Sequence, residues 1–288
     1  MKLTNVYNLP KSIVRAVESH THRSADYSVT EIMNPIRVTT LKRRYQEHIT
    51  EDVSERLWAL FGTAVHYIAQ AGEGEQDIAE VYLEKEINGL TLSGTADLYE
   101  SETRTLWDYK STSVWSIIYN SKEKDWTEQL NSYAVMMREQ GFAVDNLKIL
   151  AFLKDWNRNK AKQEPSYPSL PMVVVDIKVL PHEQVEKALE ARIMRLEANK
   201  NIADDDLPFC TDEERWKDPD KYAVTKRGNV RATKVFENPF DAQKHAEELG
   251  PKYEVKHRSG VPKRCLSFCP VAEWCNQIKM ERSLYEDN

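Results

Sequence analysis

The sequence predicts an α/β fold in which a central mixed sheet is flanked by helices. Strand-like patterns recur along the chain, at residues 81–87, 90–98, 105–110, 146–156 and 171–180. Helical patterns lie between and after them, at residues 125–140 and 182–200. The dipeptide Asn88-Gly89 predicts a tight hairpin turn, and a polar loop is expected at 157–168. Strands and helices that alternate in this way are typical of the α/β class.

Composition limits the classes of protein to which the chain can belong. It has 288 residues, of which 30% are charged, and its formal net charge is -6. No apolar run approaches the ~20 residues of a membrane span, and the N-terminus has no apolar signal core. We therefore expect a cytoplasmic protein with no membrane contact. The negative charge excludes a surface that is basic throughout, but a local basic groove remains compatible with it.

The pattern along the chain predicts three regions. They are an N-terminal helical region at 1–53, a core at 54–201 and a C-terminal segment at 202–288. The acidic run at 204–206 marks the second boundary. The C-terminal segment contains a predicted basic hairpin at 222–236 and all the cysteines of the chain.

A predicted β-hairpin at residues 94–110 carries the candidate catalytic groups. If its turn is centred between residues 102 and 103, Asp97 lies directly across from Asp108. Side chains opposed in this way are roughly 5 Å apart at Cβ, so two carboxylates there repel each other. A divalent metal between them resolves this, because hard cations take carboxylate oxygens. Lys110 shares a face with Asp108 and is placed to steer and activate the attacking water.

The helix predicted from Ser54 to about Ala71 presents two different faces. Apolar side chains gather on one of them: Leu57, Leu60, Phe61, Ala64, Val65 and Ile68. His66 points the opposite way, among small residues that let another backbone approach. We expect this helix to be sandwiched, with His66 facing a functional group. The alternative is an exposed histidine that is merely hydrogen-bonded.

Two other sets of residues carry weaker signals. Gln129 and Tyr133 are four residues apart and share a face of their predicted helix. Basic residues occur in the N-terminal region and around the turn of the C-terminal hairpin: Arg43, Arg44, Lys226, Arg227, Arg231 and Lys234. These charges either contact backbone phosphates or form solvated faces.

The cysteines have the number needed to close one metal centre, and they are Cys210, Cys265, Cys269 and Cys275. In a chain with no export signal, such cysteines are metal ligands more often than disulfides. Structural zinc favours paired C-x2–4-C knuckles, and this sequence has one such pair. Three clustered cysteines and a distant fourth suit a 4Fe–4S cluster. The sequence favours a structural 4Fe–4S cluster, with structural Zn²⁺ as the alternative.

Four motifs in a fixed order carry a family resemblance. They are a glycine–histidine pair on a helix (Gly62, His66), a G-x-x-D strand (Gly94, Asp97), a D-x-K strand (Asp108, Lys110) and a Q-x-x-x-Y helix (Gln129, Tyr133). This order, on these element types, resembles the PD-(D/E)XK nuclease superfamily and specifically its RecB-like branch. That branch includes recombination helicase-nucleases, CRISPR-adaptation nucleases and phage exonucleases. The N-terminal stretch at 28–66 also resembles the phage members.

The resemblance implies a restriction-endonuclease-like core and a metal-dependent phage-type exonuclease that hydrolyses DNA from its ends. It also implies a single-strand-annealing recombination protein as a partner. One rival is an endonuclease or a CRISPR-adaptation-like nuclease that trims DNA. A rival from another class is a DNA-binding module without catalysis, although such a module has no reason to keep opposed carboxylates.

The resemblance also assigns roles to individual residues. Mg²⁺ or Mn²⁺ would be held by His66, Asp97, Asp108 and the backbone carbonyl of Tyr109. Lys110 would position the attacking water, and Gln129 and Tyr133 would orient Lys110 or hold DNA. The segment Cys269–Cys275 resembles the clasp of RecB-like iron–sulfur nucleases. Cluster-bearing members often place one cysteine before the core, whereas here all four follow it.

Overall fold

The computed structural model describes residues 2–18, 25–72, 74, 77–282 and 285. The chain forms two compact units. The first contains Met1–Asn34 and Gln46–Lys200, and the second contains Pro35–Tyr45 and Asn201–Asn288.

The elements are numbered in chain order. The strands are β1 (Lys2–Thr4), β2 (Tyr27–Ser28), β3 (Thr50–Asp52), β4 (Asp77–Ile87), β5 (Leu90–Glu100), β6 (Thr105–Thr112), β7 (Asn146–Leu153), β8 (Met172–Ile177), β9 (Lys221–Lys226), β10 (Ala232–Phe236) and β11 (Tyr253–Arg258). The α-helices are α1 (Lys11–Glu18), α2 (Val29–Ile32), α3 (Ile36–Arg44), α4 (Leu57–Gln70), α5 (Val114–Ile118), α6 (Glu123–Glu139), α7 (Arg158–Gln163), α8 (His182–Asn199), α9 (Pro239–Leu249) and α10 (Asn276–Glu281). The loop expected at 157–168 therefore contains a short helix, α7, which Asn157 caps.

The first unit is built on a six-stranded mixed sheet, as predicted. β4, β5 and β6 are consecutive antiparallel strands, β6 and β7 are parallel, and β8 pairs antiparallel with β7. β4 occupies one edge of β5 along almost its whole length. The other edge is shared, since β2 pairs with Leu92 and Ser93 and β6 pairs only from Leu98 onward. The stretch 94–97 therefore lies where β5 passes from one partner to the other.

Helix α6 covers this sheet, and α8 packs against α6. α6 packs against β4–β8 and against α8, and its Leu130, Ala134 and Met137 are fully buried. The predicted apolar set of α8 is buried as expected: Val185, Leu189, Ile193 and Leu196.

The structure corrects the prediction for α4. A turn of 3-10 helix at Val53–Arg56, capped by Asp52, precedes it, so Ser54 is not its cap. The apolar stripe is not sandwiched, because Leu57, Phe61 and Ile68 are exposed. α4 packs on β6, and His66 on its opposite face meets Tyr109 of that strand. Periodicity alone assigns the larger apolar face to the core.

The second unit joins α3 to the C-terminal part of the chain. Residues 1–53 are therefore divided between the units. The buried guanidinium of Arg37, on α3, explains this, because it donates hydrogen bonds to the carbonyls of Leu207 and Pro208. The predicted basic hairpin is confirmed as β9 and β10, and β11 extends it into a three-stranded sheet in the order β10-β9-β11. Ala242 and Ala246 of α9 pack on this sheet around Val224.

None of the helices within the described ranges combines the length and the apolar character that crossing a bilayer requires.

Gly94 is fixed by the packing of α6 on β5. A Cβ at this position would lie 2.5 Å from Cε1 of Tyr133 and 3.0 Å from its Cδ1. Both contacts are too close for carbon atoms, so the glycine of the G-x-x-D strand admits the tyrosine of the Q-x-x-x-Y helix. Gly62 on α4 differs, because a Cβ there would meet nothing within 4 Å.

These two glycines should respond in opposite ways to the same substitution. Gly94→Ala should lower the free energy of unfolding by about 1–3 kcal/mol, because Tyr133 must shift. Gly62→Ala should raise it by roughly 0.5–1 kcal/mol, because alanine is the better helix former. Urea denaturation of both variants measures this. A Gly94→Ala protein as stable as wild type would contradict the packing described here.

Candidate functional site

The predicted register of the central hairpin is confirmed. Leu98 pairs with Trp107, Tyr99 with Leu106 and Glu100 with Thr105. The same register carried one step further sets Asp97 against Asp108. The recorded pairing ends just before these residues, so β5 and β6 part at the two carboxylates.

Both carboxylates are buried, and their pKa values reflect it. Asp97 is 8% exposed and Asp108 only 2%. Burial and the charge of Asp108 raise the pKa of Asp97 to about 7. Burial also raises the pKa of Asp108, although Lys110 and His66 oppose the shift. Desolvation and like charge both disfavour the ionised pair. Additional positive charge in the site would stabilise the ionised carboxylates.

Lys110 supplies one such charge. Its Nζ lies 2.6 Å from Oδ2 of Asp108, and this contact opposes the rise in the pKa of Asp108. Two ionised carboxylates beside one ammonium leave a net negative charge, which fits a divalent cation.

His66 reaches the same place from α4. Its Nε2 lies 3.5 Å from Oδ2 of Asp97, and its Nδ1 lies 2.9 Å from Oε1 of Glu80. The hydrogen bond to Glu80 is the largest cause of a raised His66 pKa, with the charge of Asp97 adding to it against burial. The expectation that His66 faces a functional group agrees with this geometry. In this chain the group includes a second carboxylate, that of Glu80.

Glu80 is the site residue that sequence reasoning missed. In the pairing of β4 with β5, Ala79 lies opposite Leu98 and Val81 lies opposite Ala96, so the register sets Glu80 opposite Asp97. Its φ of 51° is in the left-handed region. Residues directly opposite each other in an antiparallel pair are close neighbours. The turn at Asn88-Gly89 carried the signal, because counting back from it sets Glu80 against Asp97.

Atoms of His66, Glu80 and Asp97 that can ligate a metal all lie within 4.8 Å of one another. Carboxylate oxygens and one imidazole suit Mg²⁺ or Mn²⁺, so these residues and the neighbouring Asp108 fit such an ion. Tyr109, expected to contribute its backbone carbonyl, contacts Asp97 through its backbone N–H at 2.6 Å.

A second group with metal-ligating atoms is already neutralised. Glu139, His182 and Glu186 lie together on α6 and α8. Lys85 donates hydrogen bonds to both of these glutamates. Its ammonium takes the place that a cation would occupy, so this group functions as an ion-pair network.

Gln129 and Tyr133 are brought together as predicted. Nε2 of Gln129 donates to the Tyr133 hydroxyl at 3.0 Å. Burial raises the pKa of Tyr133, and the charges of Asp108 and Asp97 raise it further. The tyrosine is thus a neutral group near the carboxylate pair, and Gln129 contacts its hydroxyl.

The four cysteines converge within the second unit. Burial raises the pKa of the Cys210 thiol to about 12, and the charges of Glu214 and the other three cysteines add to the shift. Cys265 and Cys269 also have raised pKa values, chiefly through burial, and each is affected by Cys275. Among the described residues, however, no three cysteine sulfurs lie within 4.8 Å of one another.

Buried polar groups hold the cysteine segment in place. The Gln277 side chain pairs with both the N–H and the C=O of Cys210 at 2.9 Å. Arg37 reaches Sγ of Cys275 at 3.9 Å from α3. The buried Arg215 makes a hydrogen bond that lowers the pKa of Cys265, against the larger effect of burial. Two guanidinium groups therefore face the cysteines and favour negative charge there.

The basic residues predicted to contact DNA lie in two settings. Lys226, Arg227, Arg231 and Lys234 are exposed on or beside the turn between β9 and β10. Arg44 is paired with Asp204, and Arg43 lies beside it on α3. The hairpin residues are the more accessible set.

Comparison with known families identifies the chain. The sequence model of the PD-(D/E)XK nuclease superfamily matches residues 15–276. The chain belongs to this superfamily. The mixed sheet with its flanking helices and the D-x-K strand at its centre agree with that assignment.

Two further comparisons do not narrow the function. A search of curated proteins found no match. A solved structure described as "Crystal structure of SSO0001" is 18% identical and covers 64% of this chain and 83% of its own, with a TM-score of 0.43. This likeness is too low to carry an inference about function.

The raised pKa of Asp97 makes stability depend on pH when no divalent metal is bound. Its pKa rises from 3.8 to about 7 on folding, so the folded state loses stability as the pH rises through this interval. The total is on the order of 4 kcal/mol. Asp97→Asn removes the effect, so the metal-free variant should melt above wild type at about pH 8, with no gain near pH 4.

Asp176→Asn is the matched control, because Asp176 is an exposed aspartate on the same sheet. Its melting temperature should equal that of wild type. Added Mg²⁺ or Mn²⁺ should stabilise wild type more than Asp97→Asn. If Asp97→Asn raised the melting temperature equally at every pH, or lowered it at about pH 8, burial would not raise the pKa of Asp97.

Proposed function

We propose that this protein is a Mg²⁺- or Mn²⁺-dependent DNA exonuclease. The observation that carries the proposal is the pair Asp97 and Asp108, opposed and buried where β5 and β6 part, with Lys110 beside it. Membership of the nuclease superfamily supports phosphodiester hydrolysis. The likeness of the N-terminal stretch to phage exonucleases supports action at DNA ends.

Each residue has a task that follows from its position. Asp97, Asp108 and His66 would hold the divalent ion, which supplies positive charge to the scissile phosphate and lowers the pKa of water. Lys110 places an ammonium against Asp108, where it orients the attacking water and offsets charge that develops on the phosphate. Glu80 accepts from Nδ1 of His66 and leaves Nε2 directed at Asp97. A carboxylate behind a ligating histidine fixes its tautomer and orientation.

DNA would be gripped in part by the β9–β10 hairpin. Its exposed Lys226, Arg227, Arg231 and Lys234 are suited to backbone phosphates, which position a nucleic acid without reading its sequence. Gly228 has a left-handed φ of 84°, which permits a tight turn. The turn places Lys226, Arg227 and Arg231 near the tip of the hairpin.

The cysteines would hold a structural 4Fe–4S cluster. Three clustered cysteines and a distant fourth suit the corners of an iron–sulfur cube. Arg37 and Arg215 would offset the negative charge of the cluster. Four ligands leave no open position, so the cluster would pin the segment in place and take no part in hydrolysis.

Activity should depend on the carboxylates and the lysine. Asp108→Ala should abolish hydrolysis of end-labelled linear DNA, because the metal loses a ligand. Lys110→Ala should slow it by about 10²–10³-fold, because transition-state charge is left without its partner. Chelation of divalent metal should have the effect of Asp108→Ala. The measurement is the release of labelled nucleotide over time.

The matched control is an aspartate–lysine pair elsewhere on the same sheet. Lys148 and Asp176 lie 3.5 Å apart across β7 and β8, and neutralising them should leave the rate unchanged. Wild-type rates from Asp108→Ala would overturn the assignment. Rapid cleavage of covalently closed circles would favour the endonuclease alternative.

The cluster makes a separate prediction. Protein purified without oxygen should be brown and contain iron and acid-labile sulfide in equal amounts, and Cys269→Ser should lose both. Asp108→Asn should keep its colour, because the carboxylates and the cysteines form different sites. A colourless protein with stoichiometric zinc would contradict the iron–sulfur cluster. It would support the alternative, a structural zinc site on the same cysteines.

A further inference from the structure

A row of rings leads away from the carboxylate pair along β6 and β7. The His66 ring meets Tyr109 edge-on with centroids 5.7 Å apart, and Tyr109 meets Phe152 at 6.5 Å. Lys154 follows two residues beyond Phe152, directly after the end of β7. Its Nζ lies 4.3 Å from the centroid of Trp58 at the start of α4. Residues of β6 and β7 thus lead from His66 towards a tryptophan beside the carboxyl end of β7.

Further aromatic residues are exposed at this end. Phe61 contacts Trp58 edge-on at 6.2 Å. On α5, Trp115 and Tyr119 are stacked at 5.9 Å with an interplanar angle of 16°, and Lys160 lies 5.5 Å from the Trp115 centroid. Trp58 is 50% exposed and Trp115 is 44% exposed. Each tryptophan thus combines accessible ring surface with a lysine held against it.

The segments that carry these rings are held firmly. Asp155 accepts from the Ser113 hydroxyl at 2.6 Å and from the backbone N–H of Val114 at 2.7 Å, which ties the start of α5 to the end of β7. The carboxylate is thereby occupied with backbone and hydroxyl donors. Asn157 caps α7 in the same way and so positions Lys160. A platform fixed like this loses little conformational freedom when it binds a ligand.

We propose that Trp58, Phe61, Trp115 and Tyr119 form a platform on which the unstacked bases of a single DNA strand lie, with Lys154 and Lys160 contacting its phosphates. The proposal rests on the proposed nuclease function and specifies the form of substrate. β6, which carries Asp108 and Lys110, ends at Thr112, and Trp115 follows three residues later. The platform therefore begins beside the carboxyl end of the β-strand that carries the candidate catalytic groups.

The chemistry favours a single strand over a duplex. Aromatic side chains bind bases by stacking, and this requires a base whose face is open. Base faces in a duplex are covered by their neighbours. Lysines beside the rings match the phosphates that accompany each base. A duplex could use the lysines but gain nothing from the four rings.

Binding without divalent metal tests the platform apart from cleavage. In fluorescence anisotropy with a labelled oligothymidylate, Trp58→Ala and Trp115→Ala should each weaken binding about fivefold to a hundredfold. A blunt duplex of equal length should bind these variants as it binds wild type. Wild type should also bind an abasic oligonucleotide more weakly than the oligothymidylate, and Trp115→Ala should weaken abasic binding no further.

Matched variants separate stacking from loss of structure and of charge. Trp115→Phe keeps a ring and should retain most of the affinity. Lys154→Ala should weaken binding, whereas Lys148→Ala should not, although Lys148, on β7, also lies over a tryptophan, Trp107 of β6. Circular dichroism confirms folding of each variant.

Each outcome bears on one claim. Equal losses for single-stranded and duplex DNA, or unchanged affinity in both tryptophan variants, would overturn the platform. Wild-type binding of abasic and thymidylate oligonucleotides with equal affinity would also overturn it. The nuclease function fails on a different observation, namely DNA hydrolysis that persists in Asp108→Ala with Mg²⁺ present.

Discussion

The opposition of Asp97 and Asp108 is the constraint on which the rest of the structure depends. Two carboxylates face each other across a gap between strands and are almost fully buried. Each raises the energy of the other's charged form, and burial raises it further. Lys110 offsets one charge, and His66 contributes a second positive or polarisable group. A divalent cation would complete the balance, and we propose that the residues that make the metal-free site unfavourable are those that would bind the metal.

The sheet creates the gap by sharing one edge of β5 between two partners. β2 takes Leu92 and Ser93, β6 begins at Leu98, and the residues between them are left to the site. Gly94 lies in this interval and admits the ring of Tyr133. On the other edge, Glu80 lies in register opposite Asp97 with a left-handed φ, and its carboxylate meets His66. The strands on both edges of β5 thus place a carboxylate opposite Asp97.

Features that repeat or are local could be predicted from the sequence. The hairpin register followed from the short turn after Glu100, and the buried face of α8 followed from its spacing. Features that depend on a local backbone distortion or on distant contacts could not. The Asn88-Gly89 turn sets Glu80 opposite Asp97, but the left-handed φ of Glu80 leaves no trace in strand alternation. The exposure of the apolar stripe of α4 leaves no trace in its spacing either. Likewise, α3 joins the C-terminal unit through Arg37, whose partners lie far along the chain.

The location of the bound metal tests this account most directly. Crystals soaked with Mn²⁺ should show an anomalous peak about 2 Å from oxygens of both Asp97 and Asp108. His66 should lie next to the ion, with Glu80 still against its Nδ1. A peak at Glu139, His182 and Glu186 with none between the two aspartates would contradict the account, because the opposed carboxylates would then be balanced without a metal.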